Sequence, residues 1–395
     1  MMKVELLAPA GDLEKVKFAL LYGADAVYIG GQEFSLRARA SKFSLEAIKE
    51  AVEFAHSINK KIYVTTNIVF HNDDVDMLDD YLLSLDKMKV DAIICSSPVI
   101  IDRAKSLTNL EIHLSTQVSV TNSSLTNFWA DQGIKRVVLA RECSIDEIRE
   151  IKRKARADLE VFIHGGMCVS YSGKCTLSNY MTDRDANRGG CAHSCRWKYN
   201  LYDDHHLVSE DYDFQMSSKD LETLRYIKDL MDIGVASLKI EGRMKSIHYI
   251  ATVVNAYREF IDDYEADALK DISYYEAEIR KAENRLTSYG FMEGITSVKQ
   301  QLYNMRSEVP TKEFVGIVLS YDDELKEAII EQRNYFQPGD KLEIFSPKKP
   351  TETFTSGPIF DEGGLELDAA RHPLQKIKIH CETQLSPYDI LRKVF

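Results

Sequence analysis

Apolar and polar positions along residues 1–265 follow two alternating rhythms. Short apolar runs of strand length give way to stretches with an apolar residue every three or four positions, the pattern of strands followed by amphipathic helices. The strand-like runs are VELLAPA (4–10), AVYIGG (26–31), KIYVTTNIV (61–69), AIICSSP (92–98), EIHLSTQ (111–117), RVVLARE (136–142), LEVFIHG (159–165) and ASLKIEGR (236–243). The helical stretches between them begin with one from Asp12 that ends near Gly23. The next is SLEAIKEAVEFAHS, with Ser44 placed to cap its first turn. The last two are LETLRYIKDLMDIG (221–234) and HYIATVVNAYREFIDDY (248–264).

Eight strand–helix units are the number that closes a barrel, so the fold class predicted is α/β, a (β/α)8 TIM-like barrel over residues 1–265. A doubly wound open sheet is the alternative. It would carry a glycine-rich phosphate turn after its first strand, and APAGDLEK lacks the G-x-G-x-x-G spacing. Residues 266–311 read as a helical, then irregular, connector. From Lys312 the runs FVGIVLSY, EAIIEQR, KLEIFSP and QKIKIHC are separated by turn signals such as Gln337-Pro338-Gly339-Asp340. Residues 312–395 therefore read as a small C-terminal all-β barrel domain.

Strand ends matter because active sites of such barrels form there. They carry Arg37 and Arg39 after the second strand, then Thr65, Thr66 and Asn67, Ser96 and Ser97, Ser115 and Gln117, Arg141 and Glu142, His164, and last Lys239, Glu241 and Arg243. Each has a bland reading: an arginine pairing with a helix carboxylate, Lys239 and Glu241 as a structural ion pair, Gln117 satisfying buried backbone. Their convergence on one face is the stronger signal, since buried polar groups are costly. Several cations there suit a small substrate bearing carboxylates.

The segment after the seventh strand, about 166–215, adds four of the chain's seven cysteines: Cys168, Cys175, Cys191 and Cys195, spaced C-x6-C-x15-C-x3-C. It is predicted to cover the same barrel face. Four thiolates can complete one zinc site or one iron–sulfur cluster. Zinc sites are usually built from close pairs, and only the second pair here is close. A radical S-adenosylmethionine motif, C-x3-C-x2-C, fails because its third position is Lys198. Cys95, Cys143 and Cys381 read as packed residues.

The formal net charge of −12 argues against nonspecific coating of nucleic acid. The basic run Lys152 to Arg156 reads as a solvated helix face. The chain starts MMKVELLAPAG without a basic-then-apolar leader, and no apolar run is long enough to span a bilayer, so a cytoplasmic protein that makes no membrane contact is expected. Thiols stay reduced in that compartment, which favours ligation over disulfides. A peptidase finds neither H-E-x-x-H nor G-x-S-x-G here; Cys168 with His164 as its base is the one nucleophilic pairing to consider.

ELLAPAGDLEKVKFALLYGADAVYIGG, SLRARASKF, EVFIHGGMCVSYSGKCTLS, RDANRGGCAHSCRW and SLKIEGRMKS together resemble the collagenase-like family once filed among peptidases of unassigned mechanism, above all its tRNA-hydroxylation branch. The resemblance spans essentially the whole chain. It implies a barrel holding a [4Fe-4S] cluster on Cys168, Cys175, Cys191 and Cys195, with zinc as the alternative, and a pocket lined by Arg37, Arg39, Glu241 and Arg243. Gln117 and Arg141 join that pocket from the strand-end reading. The implied activity is hydroxylation at C5 of the wobble uridine of tRNA, independent of O2 and dependent on prephenate as co-substrate. The implied partners are the tRNA anticodon loop and an electron donor. Sister branches hydroxylate an rRNA cytidine or the ubiquinone ring, and the family's older name keeps a collagenase-like protease as the competing reading.

Overall fold

The computed structural model describes residues 3–36, 43–208, 214–282, 285–302, 310–347 and 349–394. Strands β1 (Glu5–Pro9), β2 (Ala26–Gly30), β3 (Lys61–Thr66), β4 (Ala92–Cys95), β5 (Glu111–Leu114), β6 (Arg136–Val138) and β7 (Asp158–Gly165) alternate with helices α1 (Leu13–Leu21), α2 (Leu45–Ser57), α3 (Leu78–Lys87), α4 (Pro98–Leu107), α5 (Ser123–Asp131) and α6 (Ile145–Lys154). After β7 come a short helix α7 (Leu177–Thr182), a small hairpin of β8 (Tyr202–Asp203) and β9 (His206–Leu207), strand β10 (Asp220–Glu222) and helix α8 (Ile227–Ile233). Strand β11 (Ser237–Ile240) and the long helix α9 (Ile247–Glu265) complete the ring. All neighbouring strands from β1 to β7 run parallel, and β11 pairs in parallel with both β1 and β7, which closes an eight-stranded barrel. The eight strands are those the apolar runs predict.

Strand parity decides what faces where. On β2, Val27 and Ile29 pack outward against the helices, while Ala26 and Tyr28 point inward with Leu7, Tyr63, Ala92 and Ile94. Helix starts agree with the sequence: Asp12 accepts a hydrogen bond from the Lys15 amide, and Ser44 from that of Ala47. The Lys152–Arg156 run is surface, with Arg153 paired to Glu150 and Arg156 to Asp131.

One element departs from its pattern. The stretch 221–234 reads as a helix, yet Leu221 and Glu222 pair antiparallel with Gly165 and His164. The free end of β7 outlasts its barrel neighbours, and Leu221 is buried against Val138, Phe162 and Met167. Helix α8 starts only at Ile227, so ladder bonds and burial override local helical periodicity.

Helix α10 (Ile272–Ile279) and strand β12 (Thr287–Ser288), paired with β10, lead out of the barrel. The C-terminal domain is antiparallel throughout. Its strands are β13 (Lys312–Asp322), β14 (Glu327–Gln332), β15 (Lys341–Phe345), β16 (Glu352–Thr355), β17 (Ile359–Asp361), β18 (Glu366–Leu367), β19 (Lys376–His380) and β20 (Ile390–Val394), ordered β16-β15-β20-β13-β14-β19-β17-β18. They enclose a core of Val315, Ile330, Phe336, Ile344, Ile377 and Leu391.

The domain docks on α1 and α9 through Phe18, Tyr22, Ile247 and Ala251 against Ile317, Phe345 and Ile390. At the centre of this contact lies Arg392, fully buried. Its guanidinium donates to His248 Nε2 at 2.9 Å, Glu343 Oε1 at 3.1 Å and Thr252 Oγ1 at 2.6 Å, and sits 3.5 Å from the Phe345 ring centroid. Among the described residues, no helix is long and apolar enough to cross a membrane.

Candidate functional site

A cavity of about 220 Å³ opens at the C-terminal mouth of the barrel, between strand ends and the segment that follows β7. Beside the apolar inward residues, the barrel interior beneath it holds a buried cluster of charged groups. Lys239 Nζ meets Glu160 Oε1 at 2.7 Å, and Arg136 Nη1 lies 3.4 Å from Glu160 Oε2 and 2.5 Å from Glu5 Oε1. Burial alone would raise the Glu160 carboxyl, but Lys239 and Arg136 outweigh it and hold it below its ordinary value. Burial lowers the Lys239 ammonium, with Glu160 opposing. Lys239 forms part of the cavity wall, 4.6 Å from the ring centroid of Tyr28 and 5.3 Å from that of Phe162.

Cations dominate the walls. The Arg141 guanidinium stacks 3.7 Å from the Phe162 centroid and donates to Ser172 Oγ at 3.1 Å. Arg243 reaches across to Ser35 Oγ at 3.1 Å and Thr65 Oγ1 at 3.2 Å. It lies over the end of β2 because Gly30 has no side chain: a Cβ there would collide with the guanidinium and with Ser35 Oγ. Glu241 accepts from the Gly166 amide at 3.1 Å, and a methyl on Gly166 would sit 3.3 Å from Arg196 Nη2. Acid and guanidinium thus flank the entry to the cysteine-bearing segment.

Cys168, Cys175, Cys191 and Cys195 all line this cavity, and none is in a disulfide. Cys168 faces the open volume while protein encloses it on the other sides. Burial pushes its thiol up and Arg141 pulls the other way. Burial likewise raises Cys195, which feels Cys168, Cys191 and Cys175 as neighbouring charges. Among the described residues, no three His, Cys, Asp or Glu groups are placed to hold a single metal ion, while Cys195 feels the other three thiols, so the four share one neighbourhood of the cavity wall. A sulfur-only group of reduced thiols is the donor set that a multi-iron cluster needs. The segment is braced by Asn187 Nδ2 to Cys175 O at 2.9 Å and by Ala192 N to Ser178 Oγ at 3.0 Å. Arg188, bound to both Asp74 oxygens at 2.6 and 3.1 Å, ties it to the barrel.

Of the residues singled out in the sequence, Thr65, Asn67, Ser115, Gln117, Arg141, Lys239, Glu241 and Arg243 meet at this cavity, whereas Thr66, Ser96, Ser97 and Glu142 do not line it. Arg37 and Arg39 lie outside the described residues. Lys239 pairs with Glu160 and not with Glu241. His164 is absent from the lining: the β7–β11 register slips between Phe162 and His164. The imidazole instead lies among the α9 aromatics, with Nδ1 3.2 Å from Tyr257 Oη. The Cys168–His164 nucleophile and base are therefore not formed. Strand parity could not reveal the slip. Arg196, Asn187, His193, Tyr28 and Phe162 also line the cavity and were missed. Inward parity with Ala26 was the available signal for Tyr28; the loop residues carry none without the tertiary path. Cys95, Cys143 and Cys381 are buried, as expected of packed thiols.

Residues 11–302 match the family pattern described as "Peptidase family U32", and residues 310–392 that of the "Peptidase family U32 C-terminal domain". The chain belongs to family U32. It is 49% identical over 400 residues to "tRNA hydroxylation protein P1" of Bacillus subtilis, covering 99% of this chain and 95% of that protein. Identity to "23S rRNA 5-hydroxycytidine C2501 synthase" of Escherichia coli is 40% over 260 residues, 66% of this chain and 39% of that protein. Identity to "Collagenase" of Porphyromonas gingivalis is 35% over 274 residues, 66% of each chain. Proteins similar to this chain are thus named for RNA hydroxylation and for proteolysis, and the one matched over nearly its full length is named for tRNA hydroxylation.

Proposed function

We propose that this chain hydroxylates tRNA, at C5 of the wobble uridine, in a prephenate-dependent and O2-independent reaction. The observation that carries the reading is the four reduced thiols lining the same barrel-mouth cavity that Arg141, Arg196 and Arg243 line. The near full-length similarity to a protein named for tRNA hydroxylation supports the choice of substrate.

In this reading Cys168, Cys175, Cys191 and Cys195 hold a [4Fe-4S] cluster, for which four thiolates form the complete protein donor set. Such a cluster supplies one-electron transfer, exchanged with a separate redox partner. Arg243 and Arg141 grip the carboxylates of prephenate, a task that suits planar guanidinium donors. Gln117 and Asn67 offer amide groups to a planar ring, Phe162 and Tyr28 give it apolar walls, and the segment after β7 shields the cavity from bulk water. The uridine leaves its stack to enter, which costs little in an unpaired loop.

Mass spectrometry of tRNA nucleosides from a deletion strain tests the reading. Loss of 5-hydroxyuridine derivatives, restored by the wild-type gene but not by Cys191→Ser or Arg243→Ala, is expected. Unchanged derivatives in the deletion strain would refute it.

A further inference from the structure

The segment that carries the cysteines does more than cover the cavity. Its outer surface bears four large aromatic side chains that the fold leaves in solvent: Tyr171 (47% exposed), Tyr180 (86%), Trp197 (41%) and Tyr202 (58%). Tyr171 lines the cavity itself, and Trp197 directly follows Cys195 and Arg196, two further residues of the lining. Helix α7, which carries Tyr180, packs against the turn at Ser194–Arg196. Their support is rigid: Tyr199 Oη donates to Ser194 O at 2.7 Å, and the Ala192–Ser178 and Arg188–Asp74 bonds hold the layer beneath.

The basic residues of the segment are gathered in its first part: residues 166–198 hold Lys174, Arg184, Arg188, Arg196 and Lys198 against Asp183 and Asp185, whereas Asp203 and Asp204 follow Tyr202 and the whole of 166–215 nets −2. Among the described residues Lys174 and Arg184 have no carboxylate within ion-pair distance. Exposed aromatics interleaved with basic residues form a surface for unpaired bases, because every base has a π-face to stack and every phosphate a charge to neutralise. A purely apolar protein partner would leave the basic residues unmatched.

We infer that Tyr180, Trp197 and Tyr202 form a stacking platform for unpaired nucleotides flanking the one that enters the cavity, the occupant being a single-stranded RNA loop. The inference rests on the RNA reading above but not on the reaction chemistry. Stacking is tolerant of sequence, so the platform supplies affinity and position, while selection of the base falls to the cavity.

The chain has two tryptophans, Trp129 and Trp197. A Trp129→Phe background therefore makes Trp197 the sole indole reporter in the full chain. Titration with an RNA hairpin bearing a uridine-containing unpaired loop is expected to quench its fluorescence saturably, with a fully paired duplex of equal length doing so far less. Tyr180→Ala and Trp197→Ala, the latter followed by filter binding, are each expected to weaken binding by roughly 5- to 150-fold, the range for losing one stacked base. Tyr180→Phe and Trp197→Phe should keep most of it, since they keep a ring. Both alanine positions are exposed, and unchanged thermal melts and iron content show that the fold and the thiol site persist.

Hairpin affinity equal to wild type in the Tyr180→Ala, Trp197→Ala double variant overturns the inference, as does equal affinity for hairpin and duplex. A wild-type chain that binds the hairpin through the platform yet forms no hydroxyuridine leaves the platform standing and defeats the proposed reaction. Normal hydroxylation by the double variant at limiting tRNA does the reverse.

Discussion

Replacing Arg392 by methionine removes the buried guanidinium at the centre of the interdomain contact while keeping side-chain length. The cost follows from what is left behind. Glu343, buried like its partner, loses the Arg392 guanidinium but keeps Lys312 Nζ at 3.4 Å and Lys281 Nζ at 3.7 Å. His248 Nε2 loses its donor, whereas the Thr252 hydroxyl can turn to another acceptor. The Phe345 ring regains a thioether in place of the guanidinium. Breaking a buried pair costs about 3–5 kcal/mol, and two surviving lysines place this case near the lower end, at about 3 kcal/mol. That is roughly a 150-fold shift in the folding equilibrium, from the tenfold change per 1.4 kcal/mol. Urea denaturation followed by near-ultraviolet circular dichroism reads it as a lowered midpoint. Arg392→Lys should cost nearly as much, because Nε, Nη1 and Nη2 each serve a different acceptor and one ammonium cannot replace that fork. A loss below about 1 kcal/mol, the range of exposed ion pairs, would refute the reasoning.

The same contact makes stability depend on pH. Burial, then Arg392, holds His248 well below its ordinary value. The unfolded chain therefore binds a proton near pH 6.5 that the folded chain refuses, and stability is full above that value. It falls by up to about 1.4 kcal/mol per pH unit as pH drops below it; His248→Gln should remove that component of the slope in urea melts at pH 7.5 and 5.5. Anaerobic reconstitution should load about four irons per chain; Cys168→Ser, Cys175→Ser, Cys191→Ser or Cys195→Ser should each lower that content, and Cys381→Ala should not. Gly30→Ala should displace Arg243 and cut hydroxylation in complemented cells, with about 1–3 kcal/mol of overpacking cost in thermal melts; full activity with an unchanged melting temperature would count against the placement of Arg243. Glu160→Gln should cost about 3–5 kcal/mol in urea melts, because it deprives both Lys239 and Arg136 of the buried carboxylate they share.

The chain's hydrophobic rhythm by itself determined the eight strands, the helices between them and the change to an all-β domain near Lys312, because these depend on local periodicity and on capping residues such as Asp12 and Ser44. The cysteine spacing and the strand-end positions also placed most of the site, since every strand of a parallel barrel delivers its C-terminal end to one face. What only the tertiary structure decided arises where distant segments compete for one environment. The overhanging end of β7 drew Leu221 and Glu222 out of a helical pattern into a strand. The register slip beside it turned His164 away from Cys168. Glu160, 79 residues from Lys239 in sequence, became its partner because inward parity and the register of adjacent strands brought them together. Arg392 reads as one charge in a final strand; only the docking of that strand on α9 made it the buried centre of the molecule's interdomain contact.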